Sequence, residues 1–276
     1  MKISLLQSDI AWNAPAANRL RLESMLRGAD KSDVYVLPEM FTTGFAVDPD
    51  GVAEKDCATL AWMQQMAKEL DAAICGSVAT ECLDHDRGVE RDSHGELRAA
   101  RLFFNRCYFV KPEGEYYYYD KRHLFTYGGE DRRYTRGGDR VVARFRGVRF
   151  LLQVCYDLRF PCFSRNRMRT EEQGAADDGL YDVALYVASW PTSRLEVWHT
   201  LLRARAIENQ CYVAGVNRVG ADMVCRYSGG TALIDPYGQA VAECLPGQED
   251  VATCTIDLER LMTFRQKFPV LRDADK

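Results

Sequence analysis

Three polar residues stand directly after apolar or aromatic runs in this sequence. Glu39 follows VYVLP, Lys121 follows YYYYD and Cys155 follows FLLQV. A thiol becomes a strong nucleophile only as thiolate, so it needs a base nearby. A carboxylate in a water-poor pocket has a raised pKa suited to that task. An ammonium stabilises first the thiolate and then an oxyanion, and one oxyanion donor is typically worth about 2.7–4 kcal/mol of barrier. The set fits acyl transfer through a thioester, with the backbone N–H of Tyr156, just past the thiol, as a natural second oxyanion donor. Each residue also has a plain structural reading. A cysteine ending an apolar run is usually core, a lone glutamate is more often a loop carboxylate, and a lone lysine is more often solvated. Spacing alone leaves both readings open.

The elements that would have to bring the three together are legible. KISLLQSDI, DVYVLPEM and AAICGSVAT read as strands, separated by the helices ANRLRLESML and ATLAWMQQMAKEL. This βαβαβ order requires crossover connections and some parallel pairing. RLFFNRCYFV and EYYYYDK flank the turn KPEGE as a β-hairpin, and VVARF, RGVRF and LLQVC give two strands joined by a turn, the second ending at Cys155. YDVALYVASW is a further strand. Ser193 and Glu196 predict a capping box opening the helix RLEVWHTLLRARAIENQ. CYVAGVNRV, TALIDPYGQAVAEC (turning at DPYG) and DVATCTIDL are strands, and ERLMTFRQKF is a final helix. ECLDHDRGVERDSHGEL reads as a charged, turn-rich loop, and RMRTEEQGAADDGL as a helix end plus loop. Helices covering one face of each sheet leave the other faces to bury each other. The expected architecture is therefore a four-layer αββα sandwich in one domain spanning 1–276, with an open doubly wound sheet as the competitor.

Composition narrows the class. The 276 residues are 47% hydrophobic and 28% charged, ordinary for a soluble globular chain, and the net charge of −4 argues against nucleic acid as a main partner. No run approaches a membrane span and the N-terminus lacks a signal-peptide pattern, which points to a cytoplasmic protein. Ten cysteines occur without a C-x-x-C pair, mostly inside apolar runs, as buried thiols do in a reducing compartment. Four histidines without H-E-x-x-H make a metal enzyme a poor fit. His123 and His199 raise a Cys-His hydrolase as a weaker alternative. The Gly pairs at 128–129 and 137–138 read as loop punctuation rather than a phosphate cradle.

At the three candidate residues the sequence resembles the nitrilase superfamily, the carbon–nitrogen hydrolases with a Glu-Lys-Cys triad. The matching stretches are LPEMFTTGF, YDKRHLF and VCYDLRFP, joined by DVALYVASWP, RARAIENQCYVAGVNRVG and the closing KFP. They run in order over nearly the whole chain. The resemblance implies Glu39 as general base, Lys121 as oxyanion stabiliser and Cys155 as nucleophile. It also implies a second glutamate after the lysine, for which Glu130 is the equivalent. The αββα fold, a homodimer formed through a helical face and the absence of any cofactor follow from it as well. VCYDLRFPCFSRN and ASWPTSRLEVWHTLLRARAIENQ look closest to the omega-amidase branch, which hydrolyses small dicarboxylic acid monoamides such as 2-oxoglutaramate and 2-oxosuccinamate. Such a substrate needs a cation for its carboxylate. Arg159 is the candidate, against the alternative that it only pairs with Asp157. Met40, Phe41 and Trp190 are candidate apolar walls, against a purely core role. Other amides, N-carbamoyl compounds and nitriles remain alternative substrates, and a non-catalytic binding module on the same fold is the alternative class.

Overall fold

Strand β1 (Lys2–Gln7) shows why the chain builds more than one apolar layer. Successive side chains on a strand face opposite ways. Ile3 and Leu5 join one buried cluster, while Leu6 joins another, with Leu22 and Leu26 of helix α1 (Pro15–Gly28). Pro15 opens that helix, where its missing N–H costs nothing. Described in the computed structural model are residues 1–91, 97–166 and 180–273. The polar stretch at 167–179 lies outside them.

Strand β2 (Val34–Val36), helix α2 (Ala58–Leu70) and strands β3 (Ala73–Arg91), β4 (Leu97–Val110) and β5 (Tyr116–Asp120) complete the first half. In the second half come β6 (Val142–Phe145), β7 (Val148–Val154), the short α3 (Pro161–Ser164), β8 (Val183–Ala188), α4 (Leu195–Asn209) and β9 (Tyr212–Asn217). A small hairpin of β10 (Val219–Ala221) and β11 (Arg226–Ser228) precedes β12 (Ala232–Ile234), β13 (Ala240–Glu243), β14 (Asp250–Thr255) and α5 (Leu258–Lys267).

Two six-stranded sheets result, ordered β14-β1-β2-β3-β4-β5 and β13-β12-β9-β8-β7-β6. The pairs β1–β2, β2–β3, β7–β8 and β8–β9 are parallel, and the remaining pairs in both sheets are antiparallel. Strand β8 is buried on both faces, as a central parallel strand should be. Its Val183, Leu185 and Val187 face the other sheet, and Ala184, Tyr186 and Ala188 face Trp198, Leu202 and Ala206 of α4. Helices α1 and α2 cover the outer face of the first sheet. The layers are thus helix, sheet, sheet, helix, and the open doubly wound alternative is excluded. Each fully buried aliphatic or aromatic side chain in these layers contributes about 1.5–3 kcal/mol.

Two local expectations fail. The charged segment after Thr80 is not a loop as far as Arg91. Strand β3 runs through it, paired antiparallel with β4 and shifted in register between Asp84 and Val89. A ladder needs only backbone N–H and C=O groups, which charged residues supply as well as apolar ones. The capping box also does not form. The chain enters α4 through a 3₁₀ turn, Thr192–Arg194, closed by the Arg194 N–H donating to the Pro191 carbonyl at 3.0 Å. Arg194 then occupies the N-cap with no side-chain hydrogen bond, so Ser193 falls one residue too early to cap.

Candidate active site

The three residues singled out by type leave three strands at one place. Glu39 follows β2 past the stop at Pro38. The Met40 backbone, at φ 43°, turns the chain, and its N–H donates to the Ser77 hydroxyl at 3.0 Å. Lys121 directly follows β5, and its N–H donates to the Asn105 carbonyl of β4 at 3.0 Å. The loop returning from Glu130 packs tightly there. Gly137 donates to the Lys121 carbonyl at 3.0 Å, and a Cβ on it would stand 2.0 Å from the Asp120 carbonyl oxygen, so only glycine fits.

Cys155 directly follows β7 at φ 46°, a left-handed backbone that non-glycine residues rarely adopt. Asp157 holds it there. Its buried carboxylate accepts the Val154 N–H at 3.0 Å, the Tyr119 hydroxyl at 2.8 Å, the His123 N–H at 3.0 Å and His123 Nδ1 at 2.8 Å. One side chain therefore ties the turn carrying the thiol to the loop leaving the lysine.

At the centre is a buried ion cluster. Lys121 Nζ donates to Glu39 Oε1 at 3.1 Å and to Glu130 Oε1 and Oε2 at 3.1 and 2.9 Å. Asn105 Nδ2 donates to the same two carboxylates, at 2.7 Å to Glu39 and 3.2 Å to Glu130. Glu39 Oε2 accepts the Ser189 N–H, just past β8, at 2.8 Å, so this carboxylate bridges the two sheets. Glu130 Oε2 accepts the Phe125 N–H at 2.6 Å.

The electrostatics follow from burial and from these neighbours. Burial alone would lower the pKa of Lys121, but the carboxylates of Glu130 and Glu39 outweigh it and raise it, so the lysine is a permanent cation. Burial raises the pKa of Glu130 against the opposing pull of Lys121. Burial, then the Glu39 carboxylate, raises the pKa of the Cys155 thiol, with Lys121 and the Ser189 N–H pulling the other way. The resting site is thus thiol rather than thiolate. A proton acceptor is required at the moment of attack, and Glu39 is on the same cavity wall.

That cavity holds about 380 Å³ and is lined by Glu39, Lys121 and Cys155, with Phe45, Phe125 and Trp190 among its apolar walls. Tyr156 and Arg159 line it too. The Tyr156 N–H lies in the first turn of the 3₁₀ segment Cys155–Arg159, where backbone donors have no partner within the turn. The salt-bridge alternative for Arg159 is not realised: Asp157 is occupied by the donors named above, and the guanidinium sits over the Trp190 ring, 5.1 Å from its centroid.

Met40 and Phe41 are not on the cavity wall. Phe41 packs outward into the helix-covered layer, 5.9 Å from the Trp62 ring, and Met40 is buried with Ala79, Phe103 and Tyr134. The turn after Glu39 directs them into core and brings Phe45 to the cavity instead, 5.4 Å from Lys121 Nζ. His123 is occupied by Asp157 and stacks on Phe160 at 3.9 Å, while His199 on α4 abuts Gly230. Neither lines the cavity that holds the thiol.

Sequence reasoning missed Asn105 and Ser189, missed Arg194, which also lines the cavity, and named Asp157 only as an alternative partner of Arg159. Asn105 carried a usable signal, a lone amide inside the apolar run FFNRCYFV; a buried amide there must find partners. Ser189 carried a weaker one, the first polar residue after a wholly apolar parallel strand.

Comparison with known proteins agrees with this geometry. The sequence model for carbon-nitrogen hydrolase matches residues 2–266. The chain is 41% identical to omega-amidase YafV of Yersinia enterocolitica, covering 100% of this chain and 97% of the relative. It is 33% identical to 2-oxoglutaramate amidase of Bacillus subtilis, covering 99% and 97%. Among solved structures, XC1258 of Xanthomonas campestris, a CN-hydrolase superfamily protein with an arsenic adduct in its active site, superposes with a TM-score of 0.87 at 42% identity, covering 100% and 97%. Nit3 of Saccharomyces cerevisiae, at 22% identity and a TM-score of 0.79 over 98% and 94%, shares the fold. With the family pattern matched from the first strand to the last helix and relatives aligned along its entire length, this chain belongs to the carbon–nitrogen hydrolase family.

Proposed function

We propose that the protein is an omega-amidase that hydrolyses small dicarboxylic acid monoamides, 2-oxoglutaramate or 2-oxosuccinamate, to the 2-oxo diacid and ammonia. The observation that carries this reading is the shared wall: Cys155, Glu39 and Lys121 border one cavity that also exposes an arginine without a carboxylate partner among the described residues. The names of the relatives support the same substrate class.

In the first half-reaction Glu39 takes the thiol proton as Sγ attacks the amide carbon. Lys121 and the Tyr156 N–H hold the oxyanion. The C–N bond breaks, and ammonia leaves with the proton from Glu39. In the second half-reaction water gives a proton to Glu39 and attacks the thioester carbon; Glu39 then returns that proton to sulfur as the acid departs. Glu130 holds Lys121 in place through both carboxylate oxygens. Arg159 receives the distal carboxylate against the Trp190 face. No step calls for a cofactor.

The reading includes a cytoplasmic homodimer. Ten free thiols suit a reducing compartment, and no helix among the described residues is long and apolar enough to cross a membrane. Ile207 on α4, Met262 on α5 and Phe268 just after α5 are exposed, which supports pairing through a helical face. Light scattering should give twice the chain mass.

The function is tested by an ammonia-release panel of 2-oxoglutaramate, glutaramate, succinamate, a nitrile and an N-carbamoyl amino acid. Release from the oxo-acid amide should be fastest. No release from any acid amide would end this reading.

A further inference from the structure

Charge in the cavity wall is not balanced locally. Each carboxylate there already has donors. Glu39 accepts from Lys121, Asn105 and Ser189. Asp48 accepts from Arg133 at 2.7 Å. Asp222 accepts the Tyr227 hydroxyl at 2.7 Å and the Val224 and Cys225 N–H groups at 2.8 and 2.7 Å. Two cations in the same wall have no such partner: among the described residues, neither Arg159 nor Arg194 meets a carboxylate. Both guanidiniums instead lie over aromatic rings, Arg159 over Trp190 at 5.1 Å and Arg194 over Phe125 at 5.5 Å.

Aromatic faces orient a guanidinium without neutralising it, and they leave its planar fork free to bind a carboxylate through two parallel hydrogen bonds. The two arginines are also mechanically joined. Trp190, which carries Arg159 on its face, donates from Nε1 to the Arg194 carbonyl at 2.8 Å, and the Arg194 N–H closes the turn on Pro191. Phe125, which carries Arg194, contacts the Tyr156 ring at 5.2 Å and gives its N–H to Glu130. Both half-buried guanidiniums line the same cavity, so an anion bound there is open to both cations.

We propose that Arg194 joins Arg159 in a two-cation clamp that makes this cavity select amides bearing a carboxylate at the end remote from the amide. Arg194 is then a specificity-determining residue, supplied by the turn before α4 rather than by the turn carrying the nucleophile. The inference rests on the omega-amidase reading for the identity of the acid, but not for the existence of an anion site.

The test compares glutaramate with valeramide, the uncharged amide of equal carbon number. In Arg194→Gln the ratio of kcat/KM for glutaramate over valeramide should fall about 10- to 100-fold, the scale of a lost charge-assisted hydrogen bond, mainly through KM. Because the ratio is internal to each preparation, partial misfolding does not imitate the effect. An unchanged ratio overturns the clamp while leaving the omega-amidase reading intact. A second measurement needs no turnover: calorimetric binding of glutarate to Cys155→Ala, with and without Arg194→Gln. Affinity should drop at least tenfold in the double variant, and equal affinity, or no glutarate binding to Cys155→Ala, overturns the proposal. If the native enzyme favours valeramide over glutaramate, the clamp is overturned together with the omega-amidase reading.

Discussion

Two buried ion clusters flank strand β8, one at each end. Before it, Asp182 accepts Arg149 Nη2 at 2.9 Å and Arg265 Nη1 at 3.0 Å, and Arg265 spends its remaining donors on the carbonyls of Gln210 and Tyr181. After it, Ser189 ties into the cluster of Glu39, Lys121 and Glu130. Asp182 and Arg265 of the first cluster are buried, like the second cluster, and both clusters border a hollow, of about 540 Å³ and about 380 Å³. Neither burial nor an adjacent cavity therefore distinguishes a working site from a structural one. The difference lies in composition and saturation. The first cluster spends its charges and donors on holding backbone together. The second surrounds one ammonium with two carboxylates, sets a thiol beside them and leaves Asn105 Oδ1 without a partner among the described residues. It also lies at the carboxyl end of a parallel strand, where loops diverge and make room for a ligand.

Substitutions can break this comparison, and the largest effect belongs to the thiol. Cys155→Ala should cut ammonia release by at least about 10⁴-fold while thermal melting stays near that of the native protein. Measurable turnover in that variant would remove the nucleophile assignment. Glu39→Gln, which keeps the shape and loses the base, should lower kcat by about 10²–10⁴-fold. The mirror experiment is Asp182→Asn. It removes the carboxylate from the buried Arg265 pair, so denaturant titration should show a loss of about 3–5 kcal/mol, while kcat of the folded fraction holds. Equal activity losses for Glu39→Gln and Asp182→Asn would erase the distinction drawn between the clusters.

Smaller effects sharpen it. Asn105→Ala removes a donor shared by both glutamates, and kcat should fall roughly tenfold with KM little changed, the size of one hydrogen bond to a charged group. The smallest effect is alkaline. Burial and the Glu39 carboxylate hold the Cys155 thiol pKa well above its ordinary value. As pH rises past about 8.5, the unfolded chain releases its proton first while the native thiol keeps its own. The stabilisation present below that pH is therefore lost progressively as pH climbs toward the native pKa. Melting curves of the native protein and Cys155→Ala between about pH 7 and 10 should diverge in favour of alanine; a constant gap would contradict the buried-thiol assignment.

Much of the architecture was legible. The apolar runs of β1 and β8 announced strands, and the turn at KPEGE announced the β4–β5 hairpin. The charged half of β3 was not legible because its pairing depends on β4, which supplies the ladder whatever the side chains are. For Met40 and Phe41 the sequence left wall and core both open, for a related reason, and the structure realises the core alternative. Their type suits a pocket wall or a core equally, and only the left-handed turn at Met40 decides between them.

What the sequence by itself determined is the inventory: an acid, an ammonium and a thiol, each at the end of an apolar strand, and enough alternating strands and helices to build two covered sheets. What the tertiary structure decided is who meets whom. Glu39 bonds Lys121 across 82 residues and Ser189 across 150, contacts fixed by strand order and parallel register rather than by any local pattern. The same holds for Asn105 between the glutamates and for Arg194 lining the cavity that Arg159 also lines. A side chain's type is written in the chain, but its neighbours depend on the packing of segments remote in sequence, and the neighbours set its charge, its orientation and its use.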